Sequence, residues 1–492
     1  MSQQGDLILV LDAGTTSTRA MVFDRDGTVR AVAQRELTQH YPRPGWVEHD
    51  ADEIWHETLT CARAVVTEAG GAEHVACLGI TNQRETVVAW DRSTLQPLHH
   101  ALVWQDRRTA DFCAVLKAGG HETAIQQQTG LLLDPYFSAS KMRWLLDNSE
   151  TVRAAASAGR LAFGTVESWL VTKLTGGLHI SDASNASRTS LLPLANGAFD
   201  RGLCELFGVP HAALPEVTDM AGRYEKTLPE LLGAPIPICG LAGDQQSATI
   251  GQACLAPGQT KATYGTGAFV LANMGATIPQ SRNRLLGTVL CQLNGERHYA
   301  LEGSVFVAGS LVKWLRDSLG LIDSATETEG LARSVSDSGG VVVLPALSGL
   351  GAPHWRPEAR AAITGMTFAT TRAHVVRAAL EAMAMQTLDL AEAFRADGAP
   401  WSSLRIDGGM SANDWMAQDL ADMLAIEVER PHFVETTALG AAMLAGLGAG
   451  LFGGLDEAAA SMRGQLRRFT PCLDSDSRKQ RINAWREAMA AI

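Results

Sequence analysis

Apolar residues in this chain come in short runs that break at acids and glycines. Leu7-Ile-Leu-Val-Leu11 runs into Asp12, then into the small residues Ala13-Gly14-Thr15-Thr16-Ser17, and Ala20-Met-Val-Phe23 returns. That pattern predicts a buried strand over 7–11, a tight turn, and a second strand over 18–24. A third strand over 28–34 follows the turn Asp24-Arg-Asp-Gly27. A helix fits 50–67 with Asp50 as N-cap, and strands fit 77–81 and 86–90. Strand and helix signals mixed in this way mean an α/β layout.

The opening pattern returns near the middle. An apolar strand over 236–242 closes at Gly243-Asp244-Gln245-Gln246, and 258–272 reads as strand, Gly265-Thr266-Gly267 turn, strand. Two such units about 250 residues apart predict two similar α/β domains facing one cleft. The expected division is 1–252 and 253–492. A third unit, Leu404-Arg-Ile-Asp407 followed by Gly408-Gly409, leads into a helix capped by Ser411 or Asn413 and running to Leu424. Such a turn puts a helix N-terminus at a sheet edge, where anions bind, although many α/β turns carry Gly-Gly for packing alone.

Residues 436–455 carry no charge, long enough to span a membrane. Their glycine and alanine content favours a closely packed buried helix over 438–447, ended by glycines. With 492 residues, two or three domains are expected. A hydrophobic content of 46% supports large interiors, and a net charge of −12 argues against a nucleic-acid partner. The N-terminus has no leader-like pattern. Eight scattered cysteines without Cys-x-x-Cys fit reduced thiols in a cytoplasm.

The first turn suits a phosphate–metal site. Gly14 lets backbone N–H groups approach an oxyanion, Thr15, Thr16 and Ser17 add hydroxyls, and Asp12 can hold Mg²⁺ through its water shell. An ordinary hairpin with a polar turn is the alternative. Gly-x-x-x-x-Gly-Lys-Ser/Thr, His-Arg-Asp, Asp-Phe-Gly, Gly-x-Ser-x-Gly and His-Glu-x-x-His are all missing. That removes Walker-type, protein-kinase, simple hydrolase and zinc-protease readings.

Asp12-Ala-Gly-Thr-Thr-Ser17 with Tyr264-Gly-Thr-Gly267 and Asp407-Gly-Gly409 resembles the actin/sugar-kinase superfamily. Tyr136-Phe-Ser-Ala-Ser-Lys-Met-Arg-Trp144, Gly365-Met366 and His374-Val-Val-Arg-Ala-Ala-Leu-Glu381 resemble the signatures of the FGGY family of carbohydrate kinases. Further strings resemble its glycerol-phosphorylating members: Tyr41-Pro-Arg-Pro-Gly-Trp-Val-Glu-His-Asp50, Ile80-Thr-Asn-Gln-Arg-Glu-Thr86, Asn185-Ala-Ser-Arg-Thr189, Gly243-Asp-Gln-Gln246 and Gly349-Leu-Gly-Ala-Pro353.

The resemblance implies two ribonuclease-H-like domains, ATP with Mg²⁺, and phosphoryl transfer to the 3-hydroxyl of glycerol. It also implies a cytoplasmic homodimer or homotetramer without membrane insertion. It assigns glycerol contacts to Arg84, Glu85, Tyr136, Asp244 and Gln245, with Trp104 and Phe269 as apolar walls. It assigns nucleotide contacts to Thr15, Thr16, Ser17, Arg19, Thr266, Gly309, Lys313, Gly409, Met410 and Asn413. Asp244 is the expected base, and Asp12 and Asp244 the expected metal ligands. Lys313 stands where a Gln is usual, and Met410-Ser-Ala-Asn-Asp414 replaces Ala-Val-Ala-Asn-Asn. Read without the resemblance, Arg84-Glu85 fits a surface ion pair, Asp244 a helix N-cap, and the three aromatics a core. The runner-up functions are phosphorylation of a pentulose, a gluconate or another polyol, and an actin- or chaperone-like ATPase.

Overall fold

The computed structural model describes residues 5–354, 356, 358–433 and 435–491. The first sheet is built from β1 (Leu7–Ala13), β2 (Ser17–Phe23), β3 (Val29–Glu36), β4 (Val75–Asn82) and β5 (Ile238–Gly243), in the order β5-β4-β1-β2-β3. β1, β2 and β3 are antiparallel neighbours, whereas β4 and β5 run parallel to β1. β1 is apolar on both faces because both are covered. Leu9 and Leu11 enter one core with Ile54, Ala62 and Val65, and Ile8 and Val10 enter another. The helices of this half include α1 (Ala51–Glu68), α2 (Ser138–Asn148), α3 (Val166–Thr175) and α4 (Asp244–Gly251). Asp50 caps α1 as expected, its Oδ1 accepting from the Asp52 N–H at 2.9 Å.

The second sheet repeats that design. It contains β6 (Gln259–Tyr264), β7 (Ala268–Gly275), β8 (Leu286–Leu293), β9 (Glu296–Val305), β10 (Ser403–Asp407), β11 (Val428–Pro431) and β12 (Leu466–Phe469), in the order β8-β9-β7-β6-β10-β11-β12. β6, β7 and β9 are antiparallel neighbours, and β10 and β11 run parallel to β6. Those five match β1, β2, β3, β4 and β5, and β8 and β12 extend the edges. The helices of this half include α5 (Gly309–Asp317), α6 (Arg372–Ala396), α7 (Asp414–Leu424), α8 (Thr436–Ala449), α9 (Leu455–Met462) and α10 (Ser475–Ala490), and a short one at Glu327–Arg333. Of the two expected caps for α7, Asn413 does the work, its Oδ1 accepting from the Met416 N–H at 3.0 Å.

The uncharged stretch forms α8, buried along most of its length and ended by Gly450 in the left-handed region. No helix among the described residues is long and apolar enough to cross a membrane. The strand expected over 86–90 runs Val88–Asp91 instead. Glu85 takes a φ of 61°, which turns the chain before that strand begins. Seven cysteines are buried and all eight are free.

Candidate active site

The β1–β2 turn is held from behind. Ala13 pairs with Thr18 across the hairpin, and the Gly14 N–H donates to the Ser17 carbonyl at 3.0 Å. A Cβ on Gly14 would lie 3.0 Å from that same carbonyl oxygen. The turn's carbonyls are already used: Gln83 Nε2 donates to Gly14 at 2.9 Å, Gln39 Nε2 to Thr15 at 2.7 Å and the Leu37 N–H to Thr16 at 2.9 Å. The N–H groups of Thr15 and Thr16 have no protein acceptor among the described residues. A rigid turn with occupied carbonyls and available N–H groups is an anion cradle. Arg19 sits opposite Asp12 on β2 and pairs with Glu435, ahead of α8.

In the second half, three turns meet. The Gly309 N–H donates to the Gly265 carbonyl at 2.8 Å, and the Ala308 and Ser310 N–H groups donate to the Thr266 carbonyl at 3.0 and 3.1 Å. A Cβ on Gly309 would fall 2.6 Å from the Gly265 oxygen and 3.6 Å from Met410 Cγ. Gly408 has a φ of +84°, and its Cβ would fall 2.5 Å from the Tyr264 oxygen. Only glycine tolerates both the angle and the approach. Thr266, Gly309, Gly409 and Met410 are thereby drawn together, with Asn413 at the end of the same loop donating to Thr328 Oγ1 at 3.1 Å. Lys313 is exposed on α5, one turn beyond Gly309.

Between the two sets lies a buried cluster of ion pairs. Arg84 and Glu85 do not pair with each other. Arg84 Nη1 and Nη2 donate to the two carboxylate oxygens of Glu302 at 2.6 and 3.1 Å, and Arg84 Nε lies 3.2 Å from Asp244 Oδ1. Arg188 Nε donates to Glu85 Oε1 at 2.6 Å, and Arg188 Nη2 donates to Glu302 Oε1 at 3.1 Å. Arg84, Glu85, Arg188 and Glu302 are each at most 3% exposed. This excludes the surface-pair reading, because charges are buried only when partnered. Glu85 holds its positive φ because Arg188 fixes its carboxylate and Ser138 Oγ donates to its carbonyl at 3.1 Å.

The aromatic walls converge on the same cluster. Trp104 stands edge-on to Tyr136, ring centroids 5.6 Å apart, and to Phe269 at 6.5 Å. Trp104 Nε1 donates to Thr15 Oγ1 at 2.9 Å, tying the wall to the first turn. Lys141, fully buried, donates from Nζ to the carbonyls of Pro135, Tyr136 and Phe137 at 2.6, 2.7 and 3.2 Å, which sets the loop carrying Tyr136. Gln245 Oε1 accepts from Lys261 Nζ at 2.6 Å. Asp244 is the first residue of α4; Gly243 occupies the cap position, so the N-cap reading fails.

The electrostatics follow from this crowding. Burial pushes Asp12 up to about 7, with Arg19 opposing and the Asp244 and Glu435 carboxylates adding. Burial also raises Asp244, against the pull of Arg84 and Lys261. Burial acts upward on Glu302, but Arg188 and Arg84 override it and hold the carboxyl at about 2. Asp12 and Asp244 are close enough to raise Asp12 by mutual repulsion, the arrangement a divalent cation relieves. No cluster of three His, Cys, Asp or Glu poised for a metal occurs among the described residues. A Mg²⁺ that keeps its waters and takes phosphate oxygens needs only one or two carboxylates, so Asp12 and Asp244 fit it.

Arg188, Glu302, Lys261 and Lys141 were not assigned roles from the sequence. A signal existed for each: Lys141 lies in the string Tyr136-Phe-Ser-Ala-Ser-Lys-Met-Arg-Trp144. Glu302 is a lone acid in the apolar run Tyr299-Ala-Leu-Glu302, Lys261 a lone cation in a strand, and Arg188 lies in the string Asn185-Ala-Ser-Arg-Thr189.

Two duplicated sheets, a glycine-lined turn on each, and a buried cluster of ion pairs that joins the two halves define a two-domain phosphoryl-transfer enzyme of the sugar-kinase type. The chain belongs to the FGGY family of carbohydrate kinases, whose N-terminal domain matches residues 7–251 and whose C-terminal domain matches residues 260–449. It is 53% identical over 491 residues to a glycerol kinase of Rhodospirillum rubrum, covering 99% of this chain and 98% of that one. It is 54% identical over 485 residues to a glycerol kinase of Rhodospirillum centenum, covering 98% and 97%. Among solved structures, Plasmodium falciparum glycerol kinase with ADP superimposes with a TM-score of 0.94 at 35% identity, over 99% and 98% of the two chains. A ligand-bound xylulose kinase of Lactobacillus acidophilus shares the fold, with a TM-score of 0.88 at 19% identity over 99% and 98%.

Proposed function

We propose that this chain transfers the γ-phosphoryl group of ATP to the 3-hydroxyl of glycerol, giving sn-glycerol 3-phosphate and ADP. The observation that carries this reading is the pocket in which Arg84, Glu85, Tyr136 and Asp244 meet under Trp104 and Phe269. A triol offers both donors and acceptors on a C–H backbone. Glu85 and Asp244 accept, Arg84 and Tyr136 donate, and the aromatic edges face carbon. The whole-length relatives named as glycerol kinases support the same substrate.

Asp244 takes the proton of the 3-hydroxyl as that oxygen bonds to the γ-phosphorus. The bond to the β,γ-bridging oxygen breaks and ADP leaves. In such transfers the protein mainly positions groups and balances charge. Arg84 holds Asp244 and the polyol in one frame. The turn at Thr15, Thr16 and Ser17 and the turn at Thr266 present N–H and hydroxyl donors to the phosphates. Gly309, Gly409, Met410 and Asn413 line the nucleotide's place, with Lys313 one turn further along α5. Mg²⁺, held by Asp12 and Asp244, supplies neutralisation of phosphate charge when bound. Residues 1–252 carry most of the glycerol pocket and the first phosphate turn, residues 253–492 supply Phe269 and the other nucleotide turns, and the chain works as a cytoplasmic homodimer or homotetramer.

The test is ADP release by the purified protein with glycerol, with a ketopentose such as xylulose, and with neither. Glycerol-dependent release that requires Mg²⁺ is expected. Release with the ketopentose alone would move the substrate assignment elsewhere in the family, and release with neither would mark a simple ATPase.

A further inference from the structure

Glu302 is a carboxylate of the second half held between two guanidinium groups of the first. Its Oε1 accepts from Arg84 Nη2 and from Arg188 Nη2, both at 3.1 Å, and its Oε2 accepts from Arg84 Nη1 at 2.6 Å. Alongside it, Gln246 Oε1 accepts from Arg84 Nη1 at 3.3 Å and Gln246 Nε2 donates to Thr288 Oγ1 at 3.0 Å, so the seam is polar and matched on both sides. Glu302 stands on β9, which ends at Val305 and leads directly into the turn at Ala308–Ser310. That turn is bonded to the Gly265–Gly267 turn. One strand therefore carries a counter-ion of the polyol pocket and, about 20 Å further along at most, a wall of the nucleotide site.

Arg84 donates through Nη1 and Nη2 to Glu302 and Gln246 and turns Nε toward Asp244, which leaves one Nη2 hydrogen for a ligand. The direction of that hydrogen is set by the bidentate Glu302 contact, since a guanidinium is planar and its fork cannot bend independently. Arg188 fixes Glu85 in turn.

We propose that Glu302 is a positioning residue that couples occupancy of the polyol pocket to occupancy of the nucleotide site. It aims Arg84, and through Arg188 aims Glu85, only when β9 and the nucleotide turns are seated against the first half. Coupling of this kind is reciprocal: nucleotide tightens polyol binding by the factor by which polyol tightens nucleotide binding. The inference rests on the reading of this pocket as the glycerol site.

The experiment is calorimetric titration of glycerol into the full chain with and without saturating ADP and Mg²⁺, for the wild type, Glu302→Gln and Glu302→Asp, beside steady-state kinetics. The wild type is expected to bind glycerol at least about fivefold more tightly with nucleotide present. In Glu302→Gln that factor falls to within about twofold of one, and the KM values for glycerol and for ATP, each measured at a saturating concentration of the other, rise together by about the lost factor. Glu302→Asp keeps the charge one methylene short and falls between. If Glu302→Gln does not fold by circular dichroism, Glu302→Asp decides: its coupling factor is expected to be at most about half that of the wild type, and an unchanged factor overturns the proposal. A wild-type factor near one, or a factor that Glu302→Gln leaves unchanged, overturns the proposal. A wild type that binds no glycerol overturns the pocket reading itself, and this inference with it.

Discussion

At the scale of single residues, the pocket sets Asp244 between opposing influences. Burial favours its neutral form, while Arg84 and Lys261 favour the carboxylate a base needs. Asp244→Asn keeps the shape and removes the proton acceptor. kcat is expected to fall by about 10²–10⁴, with ADP affinity changed much less; a loss under tenfold would remove Asp244 from the role of base. Asp12 gives a prediction of the opposite kind. Its carboxyl sits at about 7 in the folded chain against 3.8 as a free side chain. The folded state therefore holds that proton more tightly than the unfolded state. Ionisation of Asp12 costs stability progressively from about pH 4 to pH 7 and fully above. In the absence of Mg²⁺ and nucleotide, Asp12→Asn is expected to raise the thermal midpoint at pH 8 and to leave it unchanged near pH 4, while lowering activity at every pH. A lower midpoint at pH 8 would count against a desolvated Asp12. The placement of Asp12 and Asp244 at the ends of strands was legible because each ends an apolar run. The ion quartet was not. Arg84 and Glu85 are neighbours in sequence but do not pair; their partners lie 218 and 103 residues away, and the two arginines reach Glu302 only when the two halves of the chain meet.

At the scale of elements, caps and periodicity were readable, because they depend on neighbours in sequence: Asp50 and Asn413 cap α1 and α7 through their own following N–H groups. The helix at α8 was readable as buried, since no charge interrupts it, but its neighbours were not, because a helix apolar all round names no face. Glycine decides where it lies. A Cβ on Gly440 would fall 1.8 Å from the Ser247 carbonyl oxygen of α4, and one on Gly251 would fall 2.0 Å from the Thr436 oxygen. Gly79 and Gly240 open the strands beneath in the same way, with Cβ positions 2.6 Å from the Ala441 oxygen and 2.5 Å from the Ala445 nitrogen. Backbone cannot yield as a side-chain tip does. Gly440→Ala is expected to destabilise by about 1–3 kcal/mol or more, read as a lower denaturation midpoint. Gly197→Ala, where nothing lies within 4 Å of the new methyl, should stay within about 0.5 kcal/mol. Equal effects of the two would mean that α4 and α8 are not in contact at Gly440.

At the scale of the whole molecule, the two halves are not independent bodies. The face of the first sheet that carries Ile8, Val10, Met21 and Cys77 is covered by Ala438, Leu439, Ala441, Ala442 and Leu444 of α8 and by Phe452 and Ala458 beyond it. The cover is also bonded across the division. Ser247 Oγ donates to the Thr437 carbonyl at 2.7 Å, Arg223 Nη2 to the Ala449 carbonyl at 2.8 Å, and Ser461 Oγ to the Arg25 carbonyl at 2.9 Å. A boundary drawn at 252 therefore separates the chain where the motifs change but leaves part of the first core on the other side. The opening apolar run could not reveal this. It says that both faces of β1 are covered, and does not say by what. Residues 1–252 produced alone would expose that whole face, an apolar patch of the size that drives association. The fragment is expected to aggregate, or to unfold without a cooperative transition and with weak near-ultraviolet dichroism. Co-production with residues 253–492 should restore a soluble, cooperative and active complex. A fragment 1–252 that stays monomeric and unfolds cooperatively by itself would show that α8 is an accessory to the first core rather than a part of it.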